Sequence, residues 1–146
     1  ETQNRDGMDA ALLVLDTKYQ VAHFAGAKNP LVYIQNDQLI HLKGDKFAVG
    51  GDQREFSRSF TCHSFAYSAD TIFYLFTDGY QDQFGGTEGK KFMIKRLKDL
   101  LFDIHQSPFD QQEISLLQNF QRWTNTAQER QIDDILIWGF KPKTTF

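Results

Sequence analysis

Cysteine is almost absent. Cys62 is the only one among 146 residues, so no disulfide can close within the chain and no cysteine-based zinc site can be assembled. Long apolar runs are missing too: no stretch reaches the ~18 apolar residues of a membrane-spanning helix. The opening Glu1-Thr2-Gln3-Asn4-Arg5-Asp6-Gly7 lacks the basic start and apolar centre of a secretion signal. A soluble chain in a reducing, cytoplasmic compartment is expected, without direct membrane contact. Basic residues are not in excess, with 16 Lys and Arg against 19 Asp and Glu and a net charge of −3, which argues against a phosphate-backbone reader needing a basic face. Nucleic acid is therefore not an expected partner. The chain also starts without Met on a polar stretch, as a piece excised from something larger would.

What is present is apolar and aromatic material: 40% of residues are hydrophobic, 14% aromatic, and 14 are Phe. A chain of this size buries roughly 68–70% of its unfolded surface, which predicts one core and one domain over residues 1–146. The first half reads as strands between turns. Met8–Leu15 and Tyr19–Phe24 flank Asp16-Thr17-Lys18 as a hairpin, and Ala25–Pro30 breaks the pattern. Leu31–Ile34 and Leu39–Leu42 flank Gln35-Asn36-Asp37-Gln38 as a second hairpin, since Asn and Asp tolerate the positive φ of tight turns. Gly44–Lys46 and Gly50–Asp52 mark loops, Ser57–Tyr67 alternates as a strand, and Ile72–Phe76 is apolar on both faces, as in a covered central strand.

Past Gly85-Gly86 the period lengthens to about 3.6. Met93, Leu97, Leu100 and Ile104 form a helical stripe opposite lysines and Arg96, which read as a solvated face. Ser107-Pro108-Phe109-Asp110 opens a second helix, with Asp110 and Glu113 offering a capping box and Leu116, Phe120, Trp123 and Ala127 its buried stripe. Ile135–Phe140 closes the chain as a strand before a tail from Lys141, and Trp123 and Trp138 read as core. Strands, then two helices, then a strand predict an α+β fold with mostly antiparallel sheets.

Asp78 and Asp133 are the residues with the most chemistry in reach. Thr71–Gly79 is an apolar strand running into Asp-Gly, and Ile132–Phe140 is an Asp pair running into an apolar strand. Either dipeptide alone is a common turn or strand entry. Together, on antiparallel neighbouring strands, they would set carboxylates at one sheet edge, an arrangement suited to a hard divalent cation. Asp134, one residue on, would point the other way because side chains alternate along a strand, as a supporting or structural residue rather than a ligand. Gly85-Gly86-Thr87-Glu88-Gly89-Lys90-Lys91 is no phosphate loop, because its glycines enclose three residues where four are needed and Lys91 stands in place of Ser or Thr. His23, His41, His63 and His105 are scattered and form no cluster.

Thr77-Asp78-Gly79-Tyr80-Gln81-Asp82-Gln83-Phe84-Gly85-Gly86, followed by helix and Asp133-Asp134-Ile135, resembles the C-terminal signature of the metal-dependent PPM protein phosphatases, in the branch of the stage II sporulation protein E. Asp6–Leu12, Phe24–Leu31 and Lys46–Gly51 agree with that branch, so the resemblance covers nearly the whole chain. It implies an αββα sandwich, here lacking its N-terminal strands, and a bacterial signalling protein that hydrolyses a phosphoprotein, such as an anti-sigma-factor antagonist, at serine or threonine. It further implies two Mn²⁺ or Mg²⁺ ions that activate water, with Asp78 and Asp133 as metal ligands, Gly79 and Asp134 as supporting positions, and no catalytic residue beyond the ligands. Two departures stand out. The upstream aspartates and the Asp-x-x-Gly-His-Gly-like segment of the family have no counterpart, and Ala25-Gly26-Ala27 replaces a frequent Ala-Gly-His. With half the ligand set, the fragment alone is expected to be inactive and to self-associate. The alternative is a catalytically incomplete phosphatase fold used for binding or dimerisation.

Overall fold

A computed structural model describes residues 6–51 and 58–143. The polar opening before Asp6, Asp52 of the glycine-rich loop, the first residue of the expected Ser57–Tyr67 strand and the end of the tail after Lys143 lie outside the described residues. The chain divides into two compact units, one running to Leu75 and taking in the residues from Lys141, the other spanning Phe76–Phe140.

The first unit is all strand. β1 (Gly7–Met8) pairs antiparallel with β6 (Val49–Gly50). β2 (Ala10–Asp16) and β3 (Val21–Ala27) form the expected hairpin, from Ala10 opposite Ala27 to Asp16 opposite Val21. Asp16 makes the turn by accepting the backbone N–H groups of Lys18 and Tyr19, both at 3.0 Å. The strand continues through Ala25-Gly26-Ala27, where the sequence pattern predicts a break. Small residues carry little strand preference of their own; here pairing with β2 and a parallel bridge from Ala27 to Asp45 hold them extended. Gly26 is required at this point, because a Cβ there would lie 2.3 Å from the Asn29 carbonyl oxygen and 2.9 Å from Gly44 Cα.

β4 (Leu31–Gln35) and β5 (Gln38–Leu42) are joined by Asn36 and Asp37 at φ of 51° and 55°, the two-residue turn whose twist matches a hairpin. β7 (His63–Ala66) is shorter than the expected strand and pairs with β3. Thr61 ahead of it is held instead by Asp45, which accepts its N–H at 2.7 Å and its hydroxyl at 3.1 Å. β8 (Ile72–Phe76) matches its expected span and pairs antiparallel with β4. The two layers β2-β3-β7 and β8-β4-β5 meet through aromatic rings: Tyr33 stacks on Phe65 at 4.4 Å, and Phe73 sits 6.0 Å from Tyr33 and 5.9 Å from Tyr67. Phe24, Leu31, Val32 and Phe73 are fully buried, each such side chain contributing about 1.5–3 kcal/mol.

The second unit holds the helices: α1 (Gly79–Asp82), the hairpin of β9 (Phe84–Gly85) and β10 (Lys90–Lys91), α2 (Met93–Ile104), α3 (Phe109–Ala127) and β11 (Ile137–Phe140). Tyr80, Phe92 and Trp123 build its core edge to face, with Tyr80 5.1 Å from Phe92 and Phe92 5.2 Å from Trp123. Leu97, Leu101 and Ile104 are the buried stripe of α2, while Met93, expected in it, is 53% exposed at the helix start. In α3, Leu116, Phe120, Trp123 and Ala127 are half-buried, and Gln112 and Thr124 go deepest.

The expected capping box does not form. Pro108 takes the cap position, so Asp110 lies inside the first turn and accepts the adjacent Gln111 N–H, while Gln112 ties the helix start to the His105 and Ser107 carbonyls. Trp138 is 60% exposed rather than core, and Leu136, two residues earlier and just ahead of β11, is also 60% exposed. Antiparallel strands with helices make the chain α+β, as expected. No helix among the described residues is long and apolar enough to cross a membrane.

Candidate metal centre

Asp78 follows β8 directly and begins α1. Its carbonyl accepts the Asp82 N–H at 2.9 Å, while its exposed carboxylate makes no cap bond to the helix. Asp82 is engaged elsewhere, in a 2.9 Å ion pair with Lys91 of β10. The carboxylate that the motif singles out is therefore left over by the local structure. The short helix itself was not legible, since Asp-Gly after a strand signals only a turn.

The Asp133 segment differs from expectation. The strand begins at Ile137, not Ile135, and Asp133 occupies a bend. Asp133 curls back to accept the Asp134 N–H at 2.7 Å, and Gln131 donates to the Asp133 carbonyl at 2.8 Å. This local bonding competes with extension, the usual tendency of Asp outside a ladder. Strand alternation consequently does not orient Asp134, and both carboxyl-bearing residues are exposed.

The two segments nonetheless meet. Thr77 N–H donates to the Leu136 carbonyl at 3.0 Å, and the Thr77 hydroxyl donates to the Asp134 carbonyl at 3.2 Å while accepting the Leu136 N–H at 3.0 Å. Gly79 is pressed against the same loop: a Cβ there would sit 2.3 Å from the Asp134 carbonyl oxygen and 3.2 Å from Ile135. Gln83, which sequence reasoning left unassigned, reaches the loop from the other side, with its amide bonded to the Arg130 carbonyl at 2.9 Å and the Ile132 N–H at 3.2 Å. Nothing in a Gln between Asp82 and Phe84 marks it in advance. An open groove of about 480 Å³ lined by Phe92, Arg96 and Trp123 takes in neither Asp78 nor Asp133. Arg96 lies on the exposed face expected of it, 5.0 Å over the Trp123 ring.

Tyr80 anchors the turn beneath this loop. It is buried, donates its hydroxyl to the Leu116 carbonyl at 3.0 Å, and burial pushes its phenol above the ordinary value of 10.0. Above pH ~10 the unfolded chain releases this proton and the folded chain does not, so stability present below that pH is lost as pH rises. Urea unfolding is expected to show a smaller alkaline loss for Tyr80→Phe than for the wild type, at the cost of about 1 kcal/mol near neutrality for the missing hydrogen bond. Equal alkaline slopes would remove Tyr80 from the effect.

Compared with solved structures, the chain matches the SiaA-PP2C domain of Pseudomonas aeruginosa with a TM-score of 0.80 and 30% identity over 92% of its length. The fold is that of a PP2C phosphatase domain. The phosphatase domain of the cell fate determinant SpoIIE from Bacillus subtilis, in a structure described as Mn presoaked, has the same fold at 15% identity, with a TM-score of 0.63 over 94% of the chain. The SpoIIE PP2C domain with a fragment of its regulatory domain matches at 17% identity and a TM-score of 0.68. The chain spans 52% of the SiaA chain, 58% of the Mn-presoaked SpoIIE chain and 37% of the SpoIIE chain that carries the regulatory fragment. No protein-family model matches the sequence, and no curated protein matches it either.

As a donor set, the Asp78 and Asp133 carboxylates suit a hard divalent cation in kind. Both offer exposed carboxylate oxygens, the ligands of hard cations. The set falls short in number, because among the described residues no three His, Cys, Asp or Glu side chains gather into a group that could hold an ion.

Proposed function

We propose that this chain is part of a metal-dependent serine/threonine protein phosphatase, the output domain of a bacterial signalling protein acting on a phosphorylated protein. A phosphorylated anti-sigma-factor antagonist is the substrate class that fits the SpoIIE likeness. The observation that carries the reading is the match to the SiaA-PP2C domain at 30% identity and a TM-score of 0.80. The junction of Thr77, Gly79 and Asp134 supports it by bringing the Thr-Asp-Gly and Asp-Asp segments together.

In this reading Asp78 and Asp133 hold Mn²⁺ or Mg²⁺ through carboxylate oxygens, with the remaining ligands supplied by the half of the PP2C fold that this chain does not span. When bound, a pair of such ions supplies Lewis acidity toward the phosphoryl oxygens and lowers the pKa of water. The chain itself contributes position. The turn at Asp78 keeps its carboxylate out of the helix cap, Gly79 permits close approach of the Asp134 backbone, and the exposed setting leaves a phosphorylated side chain room to enter. No side chain of this chain is assigned as a nucleophile.

A complete domain carrying this chain should hydrolyse p-nitrophenyl phosphate with Mn²⁺ or Mg²⁺ and lose the activity on chelation, with recovery when metal is returned. The chain alone should show no more than trace turnover. Turnover indifferent to chelation, or full turnover by the chain alone, would refute the proposal.

A further inference from the structure

Gln83 is fully buried, an expensive place for a primary amide unless every polar atom is bonded. All are. Its Nε2 donates to the Phe84 carbonyl at 3.0 Å and to the Arg130 carbonyl at 2.9 Å, and its Oε1 accepts the Ile132 N–H at 3.2 Å. Its own carbonyl takes the Phe92 N–H at 2.9 Å and the Trp123 indole N–H at 3.1 Å, which fixes the residue at its root.

The pattern of the two long-range bonds is informative. In extended backbone the C=O of one residue and the N–H two residues later point to the same side, and a neighbouring strand bonds both. A primary amide carries the same donor and acceptor as a peptide group, so Gln83 bonds residues 130 and 132 as a strand neighbour would. Thr77 repeats the pattern with its hydroxyl, on the Asp134 carbonyl and the Leu136 N–H. The loop between Arg130 and Leu136 belongs to no strand, yet it is gripped at both ends of Asp133 by side chains from the segment that carries Asp78.

We infer that Gln83, acting with Thr77, is a positioning residue that sets the Asp133 loop against the Asp78 turn, each side chain replacing one rung of an absent strand. The inference bears on metal binding only through the phosphatase reading above, but the grip on the loop stands or falls without it.

Amide exchange by NMR on the full chain tests the grip. In the wild type the side-chain amide of Gln83 should exchange far more slowly than those of the exposed Gln111 and Gln118. In Gln83→Met, of similar shape and without the bonds, the Ile132 amide should exchange at least about tenfold faster, matching the loss of one hydrogen bond of ~1.5 kcal/mol. Leu136 and the buried Leu97 and Leu101 should be unaffected. Thr77→Val should accelerate Leu136 and spare Ile132. Titrating Mn²⁺ alone should broaden the Gly79 and Asp134 amides of the wild type, and Gln83→Met should keep the first effect and weaken the second, a split that general destabilisation would not produce. An unchanged Ile132 rate in folded Gln83→Met overturns the inference. So does fast exchange of the wild-type Gln83 side-chain amide, which decides the matter if the variant does not fold. With the exchange results as expected, the grip is established whether or not the wild type broadens, and the metal reading is tested separately by chelation of the complete domain.

Discussion

Asp78→Asn is expected to lower metal-dependent turnover of the complete phosphatase domain by at least about 10²-fold, the size of effect seen when a charge-stabilising group is removed from a preorganised site. The substitution is close to isosteric, and the wild-type carboxylate makes no cap bond to α1, so the turn has no need of the charge. The stability of the chain should stay within about 0.5 kcal/mol, as for other surface changes that break no named interaction. Urea unfolding of the variant and steady-state hydrolysis of p-nitrophenyl phosphate separate the two effects. Wild-type turnover in the variant would take Asp78 out of the mechanism; a large loss of stability would show that its role is structural.

The second large effect is expected from Gly79→Ala. Two contributions oppose each other. Alanine is favoured over glycine within a helix by about 0.5–1 kcal/mol, and Gly79 is the first residue of α1. Against that, the new methyl would lie 2.3 Å from the Asp134 carbonyl oxygen, a backbone atom of a loop tied down by Thr77 and Gln83. Overpacking of this kind costs about 1–3 kcal/mol, so the clash wins. Relief requires the loop to move by a substantial fraction of an ångström, and a shift of ~1 Å near a reacting centre lowers turnover by about 10²-fold. Both the unfolding midpoint and the turnover of the complete domain should fall. Gly89→Ala is a useful contrast: it has open space around its Cβ but a φ of 59°, so any cost there comes from backbone conformation alone. Unaltered stability and turnover in Gly79→Ala would mean that the loop yields freely and the junction is not rigid.

The sequence was most legible where local chemistry and periodicity agree. Asn36-Asp37 fixes its hairpin because both residues accept positive φ, and the even apolar run Ile72–Phe76 suits a covered strand and is one. It was least legible where a partner distant in the chain decides. Ala25-Gly26-Ala27 has no strand preference and became strand through Ala10–Leu12 and Asp45. Asp133-Asp134 has the look of a strand entry and became a bend, because Asp133 bonds the next backbone N–H and side chains of Thr77 and Gln83 take the places of ladder partners. Trp138 shows the same limit for burial, since periodicity places it on a face of β11 without saying whether anything covers that face.

By itself, the sequence determined the class of fold, the order of its longer strands and its two long helices, and the two carboxylates to consider, Asp78 and Asp133, because turn chemistry and hydrophobic period are properties of neighbouring residues. Only the tertiary structure decided that Gly79 lies against the Asp134 carbonyl, that Gln83 bonds the backbone on the approach to Asp133, and that Asp82 pairs with Lys91 while Asp78 does not. The first two facts depend on contacts between distant residues, Gly79 with Asp134 and Gln83 with Ile132, and such contacts exist only once the chain has closed on itself.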